Sequence, residues 1–512
     1  MFSKYKFVIL FFLPFVVKII VFVFLSKSIL FIGADIIEDL VFSCLILFLL
    51  LNISVKFGWF KLLLLGVYIF YYVLEISSLL VTESNFSASY MYALLDSNTE
   101  ELYNFFSNYF NGIIIFFILL LGIIYGLLLK LNYFSPYKIP SSIKVFGVVI
   151  CLFMLKLTGY TENNSYYNII RGSYGYYQLN LMIKSTSAID SSKVLSKFKN
   201  DVLVVVIGES IARRHMQLYG YSKATNPLLN SERNDLMIFE NVISPDVLTT
   251  KVVPKLLTSL SNNSKQEQPD NLIDILNFAN FDTYWISNQR PIGFHENVIS
   301  KLVSSVDTVS YLTHKSHLEK TNFDRVVLPE LRSVLNNKGK KVIFIHLIGA
   351  HFNYGYRYPE KFNVFNSENP IEKQIIIDQY DNAILYNDFI VYSILNEVKS
   401  LKKKSAMLFL SDHGEDVFDE SNFAGHAEGK LTKSMVEIPF FLWVSQDFDL
   451  PKDFEFDPNR KFMTDHLFSG MGHLLGIEYP SINKKESIFS ESFQERKRII
   501  LDRFNYDHNE NW

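Results

Sequence analysis

Lys404-Ser-Ala-Met-Leu-Phe-Leu-Ser-Asp-His-Gly-Glu415 decides how the rest of this chain is read. Met407 to Leu410 is an apolar run with the length and composition of a buried strand. It stops at Ser411-Asp-His-Gly414. In open α/β sheets, ligands bind just beyond the carboxyl ends of strands. A carboxylate beside an imidazole there, on a turn sharpened by Gly414, sets two metal-binding groups at one point. Oxygen and nitrogen donors of this kind suit Zn²⁺. A lone Asp-His pair reads equally as a solvated loop, so its weight depends on other stretches.

Working outward, Asp201-Val-Leu-Val-Val-Val-Ile207 is a β-branched run ending at Gly208. Phe281–Ile286, Lys341–His346 and Phe440–Val444 repeat the pattern, with helical stretches such as Leu272–Phe278 and Tyr380–Leu401 between them. Apolar strands alternating with helices predict an α/β domain with a mostly parallel sheet, from Asp201 to near Leu501. Glu209 then stands where Asp412 stands, just past a strand; alone it would be a first-turn acid favoured by the helix dipole. Gly208-Glu-Ser-Ile-Ala212 lacks the closing glycine of a nucleophile elbow, which weighs against Ser210 as nucleophile. In Ser244-Pro-Asp-Val-Leu-Thr-Thr-Lys-Val-Val-Pro254, Thr249 or Thr250 opens a helix, where backbone N–H groups favour phosphate. One of them serves simply as a cap in the plainer reading. Bound to Zn²⁺, such a hydroxyl becomes a nucleophile. His351 lies in the loop after Lys341–His346, and His426 follows soon after the Asp412-His413 pair; either suits substrate phosphate or a second metal. His215, His346 and His466 are placed less favourably.

The apolar excess lies at the other end. Of 512 residues, 49% are hydrophobic and 15% aromatic, and only 20% are charged. Candidate membrane spans are Tyr5–Leu25, Leu40–Val55, Leu62–Val81, Ile113–Leu131 and Val145–Tyr160. Lys4, Lys6, Lys56, Lys61, Lys130, Lys138 and Lys144 fall on one side of these spans, and the alternate loops are nearly bare of Lys and Arg. The positive-inside rule therefore puts the amino terminus in the cytoplasm. Five spans then put everything after Tyr160 outside. Glu83–Gly112 mixes aromatic residues with acids and amides and suits helices lying on the outer leaflet. Glu75, near the outer end of the third span, is a candidate for meeting an ammonium group; burial against protein explains Glu75 and Lys18 as well. Residues 161–200 are polar, carry the loop signal Arg171-Gly-Ser-Tyr-Gly175 and read as a tether. The expected organisation is thus a membrane domain at 1–160, a surface linker at 161–200 and an outer domain at 201–512. A net charge of -3 argues against nucleic acid as partner. Cys44 and Cys151 lie in apolar runs and predict no disulfide framework.

Taken together, the stretches resemble the phosphoethanolamine transferases of Gram-negative envelopes, in the alkaline-phosphatase and sulfatase superfamily. The resemblance is carried by Gly208-Glu-Ser210, Tyr219-Gly-Tyr-Ser-Lys-Ala-Thr-Asn-Pro227, Thr249 nine residues before Thr258, and His346-Leu-Ile-Gly-Ala-His351. Tyr380-Asp-Asn382, Tyr386, Asp388, Ser411-Asp-His-Gly-Glu415 and Gly425-His426 follow in family order. It implies that Glu209, Thr249, Asp412 and His413 bind a catalytic zinc, with Thr249 the nucleophile. It implies that His351 and His426 line phosphate or a second zinc, and that Asn98 belongs to the lipid-donor loop. The implied reaction moves phosphoethanolamine from phosphatidylethanolamine to lipopolysaccharide, across membrane lipids at the inner membrane. The outer domain lacks the cysteines of the lipid A-modifying type, and Tyr284-Trp-Ile-Ser-Asn-Gln289 looks more like the branch acting on core heptose. Rival readings are a phosphoglycerol transferase, a hydrolase of the same superfamily, or a non-catalytic membrane scaffold.

Overall fold

The computed structural model describes residues 2–25, 29–52, 58–82, 85–96, 112–131, 165–184, 189–262, 268–289, 298–313, 322–368 and 370–508, with six more between 146 and 156. Contacts divide the chain into two compact units, and the division falls between Gly175 and Tyr176.

Helices of the first unit include α1 (Phe2–Phe24), α2 (Ile29–Asn52), α3 (Gly58–Thr82), α4 (Ala88–Asp96) and α5 (Gly112–Leu131). Among the described residues, the segments Lys6–Phe24, Gly58–Val81 and Gly112–Leu131 are long and apolar enough to cross a membrane. The second expected span overlaps α2, which begins at Ile29 rather than Leu40, ends at Asn52 and carries Asp35, Glu38 and Asp39. The fifth, Val145–Tyr160, falls largely outside the described residues, as does Asn98. α1, α2, α3 and α5 share one apolar core around Phe11, Leu50, Tyr68 and Leu121. Into it are folded three charges: Lys18 lies 2.5 Å from Asp39 and 3.2 Å from Glu75, all of them buried. Tyr71 donates to Asp39 at 2.6 Å, and Ser165 donates to Glu75. Glu75 is therefore buried against protein, with an internal ammonium for its partner.

The expected tether is not all loop. Ser165–Lys184 forms a 20-residue helix, α6, and the supposed loop signal lies inside it. Its Gly172 is a packing residue: a Cβ there would stand 2.5 Å from the Ala88 carbonyl oxygen and 2.6 Å from Met91 Cβ. Glycine lets α6 and α4 approach, and short-range turn statistics miss that use.

The second unit is built on a seven-stranded sheet. Its strands are β1 (Val202–Gly208), β2 (Met237–Ile238), β3 (Asp282–Ser287), β4 (Thr308–Tyr311), β5 (Lys341–His346), β6 (Ser405–Ser411) and β7 (Phe440–Val444), in the order β2-β7-β6-β1-β5-β3-β4. β1, β3, β4, β5 and β6 run parallel. β7 is antiparallel to β6, and β2 to β7. Phe440–Val444 is thus a strand, as its composition predicts, but turned over. No helix longer than a single 3₁₀ turn joins it to β6, and only parallel neighbours need a helical crossover. β2 and β4 escaped the sequence reading because one is two residues long and the other is half-exposed at the edge. β1 and β6 are buried along their whole length, as continuous apolar runs covered on both faces should be.

Register positions the site. Gly208 lies opposite Ser411, Ile207 opposite His346, and Ser287 opposite His346. Four parallel strands therefore end at one level. The residues that follow, Glu209, Asn288, Leu347 and Asp412, open a common crest. Helices α7 (Thr249–Leu257), α8 (Leu272–Phe278), α9 (Val327–Leu335) and α10 (Glu372–Ser400) complete the α/β domain.

Candidate metal centre

Glu209, Asp412 and His413 come off the ends of β1 and β6 and are buried. One ligand atom from each lies within 4.8 Å of the others. His413 Nε2 is 3.2 Å from Glu209 Oε1 and 3.5 Å from Asp412 Oδ2. Thr249, the first residue of α7, points its hydroxyl into this group. Its Oγ1 is 2.7 Å from Asp412 Oδ2, 3.0 Å from Glu209 Oε2 and 3.5 Å from His413 Nε2. Of the two adjacent threonines, Thr249 is the one whose hydroxyl meets these three side chains. Gly414 matters by closeness: a Cβ there would stand 2.1 Å from the Ser434 carbonyl oxygen.

The carboxylates are held from behind. Ser210 is not poised as a nucleophile. It adopts a left-handed conformation, φ 58°, from which its N–H donates to Asp412 Oδ1 (3.2 Å) and its hydroxyl to Glu209 Oε1 (3.0 Å). Tyr380 on α10 braces that turn, donating to the Ser210 carbonyl (2.8 Å) and accepting from the Ala212 N–H (2.9 Å). Gln289, two residues past β3, donates to Glu209 Oε2 at 3.0 Å and to the Leu347 carbonyl at 2.9 Å.

Electrostatics mark the group as one that wants a cation. Burial pushes Asp412 up to about 7, with the Glu209 charge adding to it. Burial would raise Glu209 too, but the hydrogen bond and charge of His413 hold it well below the usual carboxylate range. Burial disfavours a charged His413, yet Asp412 and Glu209 raise it to about 10. Two carboxylates, an imidazole and a hydroxyl are a donor set that Zn²⁺ accepts, and binding would release the shared protons.

The remaining histidines separate cleanly. His426 stands with the group: its ring centroid is 4.2 Å from that of His413, and its Nδ1 is 2.6 Å from Glu415 Oε2. Glu415 Oε1 accepts from Tyr354 at 2.6 Å. His413, Glu415 and His426 form a second cluster with ligand atoms within 4.8 Å. His351 keeps a buried Nδ1 without a hydrogen-bond partner, and burial pushes its pKa down to about 4. His346 ends β5 against Trp285 and is lowered likewise to about 4. His215 belongs elsewhere, bonded to Asp381 (2.7 Å) and Asp419 (3.2 Å). His466, also pushed down by burial, opens the helix Leu467–Leu474. The sequence reading assigned no role to Gln289, Tyr380, Tyr354 or Glu415. Tyr380 and Glu415 lie inside motifs that carry the resemblance, and Gln289 ends the stretch likened to the core-heptose branch, but nothing in those motifs indicated their contacts.

Comparison with known proteins joins this geometry to a family. The sulfatase family profile matches residues 201–477, more than half of the chain. The chain belongs to the sulfatase family. Within it, this sulfatase-family protein stands with the phosphoethanolamine transferases. Phosphoethanolamine transferase EptC of Escherichia coli K12 is 28% identical over 461 residues, covering 81% of this chain and 79% of its own. The crystallised C-terminal periplasmic domain of E. coli EptC in complex with Zn is 30% identical, with a TM-score of 0.57, over 61% of this chain and 94% of that domain. The integral membrane protein EptA of Neisseria meningitidis shares the fold over 95% of this chain and 97% of its own, with a TM-score of 0.72 at 17% identity. This sulfatase-family protein is an inner-membrane protein with a periplasmic catalytic domain.

Proposed function

We propose that this protein transfers phosphoethanolamine from phosphatidylethanolamine to lipopolysaccharide, with core heptose favoured over lipid A, through a covalent intermediate on Thr249. The observation that supports it most is the Thr249 hydroxyl, hydrogen-bonded to Glu209 and Asp412 at 3.0 and 2.7 Å and within 3.5 Å of His413. A threonine that merely caps a helix turns its oxygen to its own backbone N–H groups; this one turns away, to two buried carboxylates.

Glu209, Thr249, Asp412 and His413 would hold Zn²⁺. When bound, the ion supplies Lewis acidity and lowers the proton affinity of a neighbouring hydroxyl. Thr249 loses its proton to the carboxylates, and its oxygen forms a bond to the donor phosphorus. The bond from phosphorus to the diacylglycerol oxygen breaks, and that oxygen leaves with a proton. An acceptor hydroxyl or phosphate then attacks the phosphothreonine, freeing Thr249. His426, held by Glu415, and His351, kept neutral by burial, stand where they would stabilise phosphoryl charge or move protons. Asn98 is the candidate for the donor-lipid loop; Glu75, the other candidate, is ion-paired with Lys18.

Thr249→Ala tests the reading. Mass spectrometry of core oligosaccharide and lipid A, with diacylglycerol release measured in parallel, should show both lost while folding persists. Full transfer by that variant removes the covalent mechanism.

A further inference from the structure

We infer that a polar cavity walled by the segment that follows Glu209 is the docking site for a phosphate-bearing sugar of the acceptor; this rests on the reading of the protein as a transferase to lipopolysaccharide. The cavity holds about 360 Å³ and is lined by Arg213, Arg214, Gln217, Tyr219, Arg233 and Glu240. Arg213 follows Glu209 by only four residues, a chain reach of at most about 13 Å. Its N–H donates to the Glu437 carbonyl at 3.2 Å, in the segment whose Met435 carbonyl accepts from Gly414. The cavity wall is thus continuous with both loops that carry the metal candidates.

Its chemistry is selective. Arg214 is fixed, its Nε 2.7 Å from Glu437 and its Nη1 on Glu420. Arg213 is fixed too, 3.4 Å from the same Glu437 and with its Nη1 donating to the Glu240 carbonyl. Their charges are largely balanced from behind, and they form a stiff wall of N–H groups. Arg233 is different. Its Nη1 donates to the Leu218 carbonyl, but its nearest carboxylate, Glu240, is 4.0 Å away, beyond hydrogen-bond distance, and its side chain is nearly half exposed. It is the cation of this wall with charge to spare, and its planar fork suits phosphate. Gln217 supplies an independent sign. Its buried side-chain oxygen has no hydrogen-bond partner, an unmet acceptor that a ligand hydroxyl would satisfy. A spare guanidinium, an unsatisfied amide, an exposed acid and a tyrosine ring fit a ligand carrying both phosphate and hydroxyls. They do not fit a lipid tail, and a bare anion would leave Gln217 and Glu240 unused.

Full-length protein in detergent tests this through Arg233→Ala and Gln217→Leu, neither of which touches the metal group. The Michaelis constant for lipopolysaccharide should rise about tenfold in each, while diacylglycerol release without acceptor and the constant for phosphatidylethanolamine stay unchanged. An unchanged acceptor constant in both variants overturns the inference. A direct arm is independent of transfer: equilibrium dialysis with glucose 6-phosphate, glucose and inorganic phosphate as probes. Glucose 6-phosphate should bind tightest and weaken about tenfold in Arg233→Ala. Binding no tighter than phosphate alone, or unaffected by either substitution, also overturns it. Absence of transfer in the parent protein, with glucose 6-phosphate still bound at this cavity, refutes the acceptor assignment of the enzyme and leaves the cavity's chemistry standing.

Discussion

The two units each bury a pair of carboxylates, and they solve the resulting problem in opposite ways. In the helical unit, Asp39 and Glu75 share Lys18, a cation supplied by the chain itself. On the sheet crest, Glu209 and Asp412 share His413 and Thr249, and no lysine or arginine is ion-paired to either carboxylate among the described residues. The first arrangement is closed and structural. The second leaves Asp412 near 7, a carboxylate that burial keeps from ionising in the ordinary range. A fold that stabilises one pair with lysine and leaves the other without has left room for a cation from outside.

Asp412→Asn should break the comparison most sharply. Zinc content, measured by elemental analysis, should fall to background and transfer by on the order of 10³-fold or more. Zinc retained at full stoichiometry would mean that the ion is not held at this group. Lys18→Met is the mirror experiment. Zinc content should be unchanged, because the deleted cation belongs to the closed cluster. Stability should fall by about 3–5 kcal/mol, the cost of stranding buried charge, and is read as thermal unfolding in detergent. The triple change Lys18→Met, Asp39→Asn, Glu75→Gln should recover much of that loss, since no charge then remains unpaired.

The crest was legible in the sequence because three features coincided: strands that end at one level, polar residues at each end, and little else polar nearby. Glu209, Asp412 and His413 each stand directly after an apolar run, and Thr249 opens a helix. What was not legible depends on tertiary contacts between residues far apart in the chain. Tyr380 reaches Ser210 across 170 residues from α10, and the motif that contains it gives no sign of that contact. Gly172 reads as a turn and is a helix contact. Lys18 and Glu75 are recognisable as unusual in the sequence, but Asp39 as the third member is not, because the apolar run that marks the second span begins only at Leu40.

His215 extends the comparison to a third buried charge cluster, one that titrates in an accessible range. Burial opposes its protonation, but hydrogen bonds to Asp381 and Asp419 raise its pKa to about 9. Lys223 also faces Asp381, at 2.7 Å, and Tyr221 packs on the imidazole with a centroid separation of 4.8 Å. The folded pKa lies above the ordinary 6.5, so the stabilisation is complete below about pH 6.5 and is lost as pH rises through about 9. About 3 kcal/mol is at stake. Thermal unfolding followed from pH 6 to 9.5 should show that decline, and His215→Gln should flatten it. A decline of equal size in the variant would assign the effect to another group.

The smallest expected effect concerns how Glu209 is aimed. Ser210 and Gln289 each donate to it, one from its own turn and one from the end of β3. Groups that orient a metal ligand in this way change affinity by about 10–100-fold when removed. Gln289→Ala leaves Ser210 in place, so the lower figure applies: about tenfold weaker zinc binding, or about 1.4 kcal/mol, measured by competition with a chelator. Transfer at saturating zinc should be nearly unchanged, because the ligands themselves remain. If affinity is unaltered but transfer collapses, Gln289 touches the substrate rather than positioning Glu209. The crest would then reach two strands further, across β5 to β3, than the metal group requires.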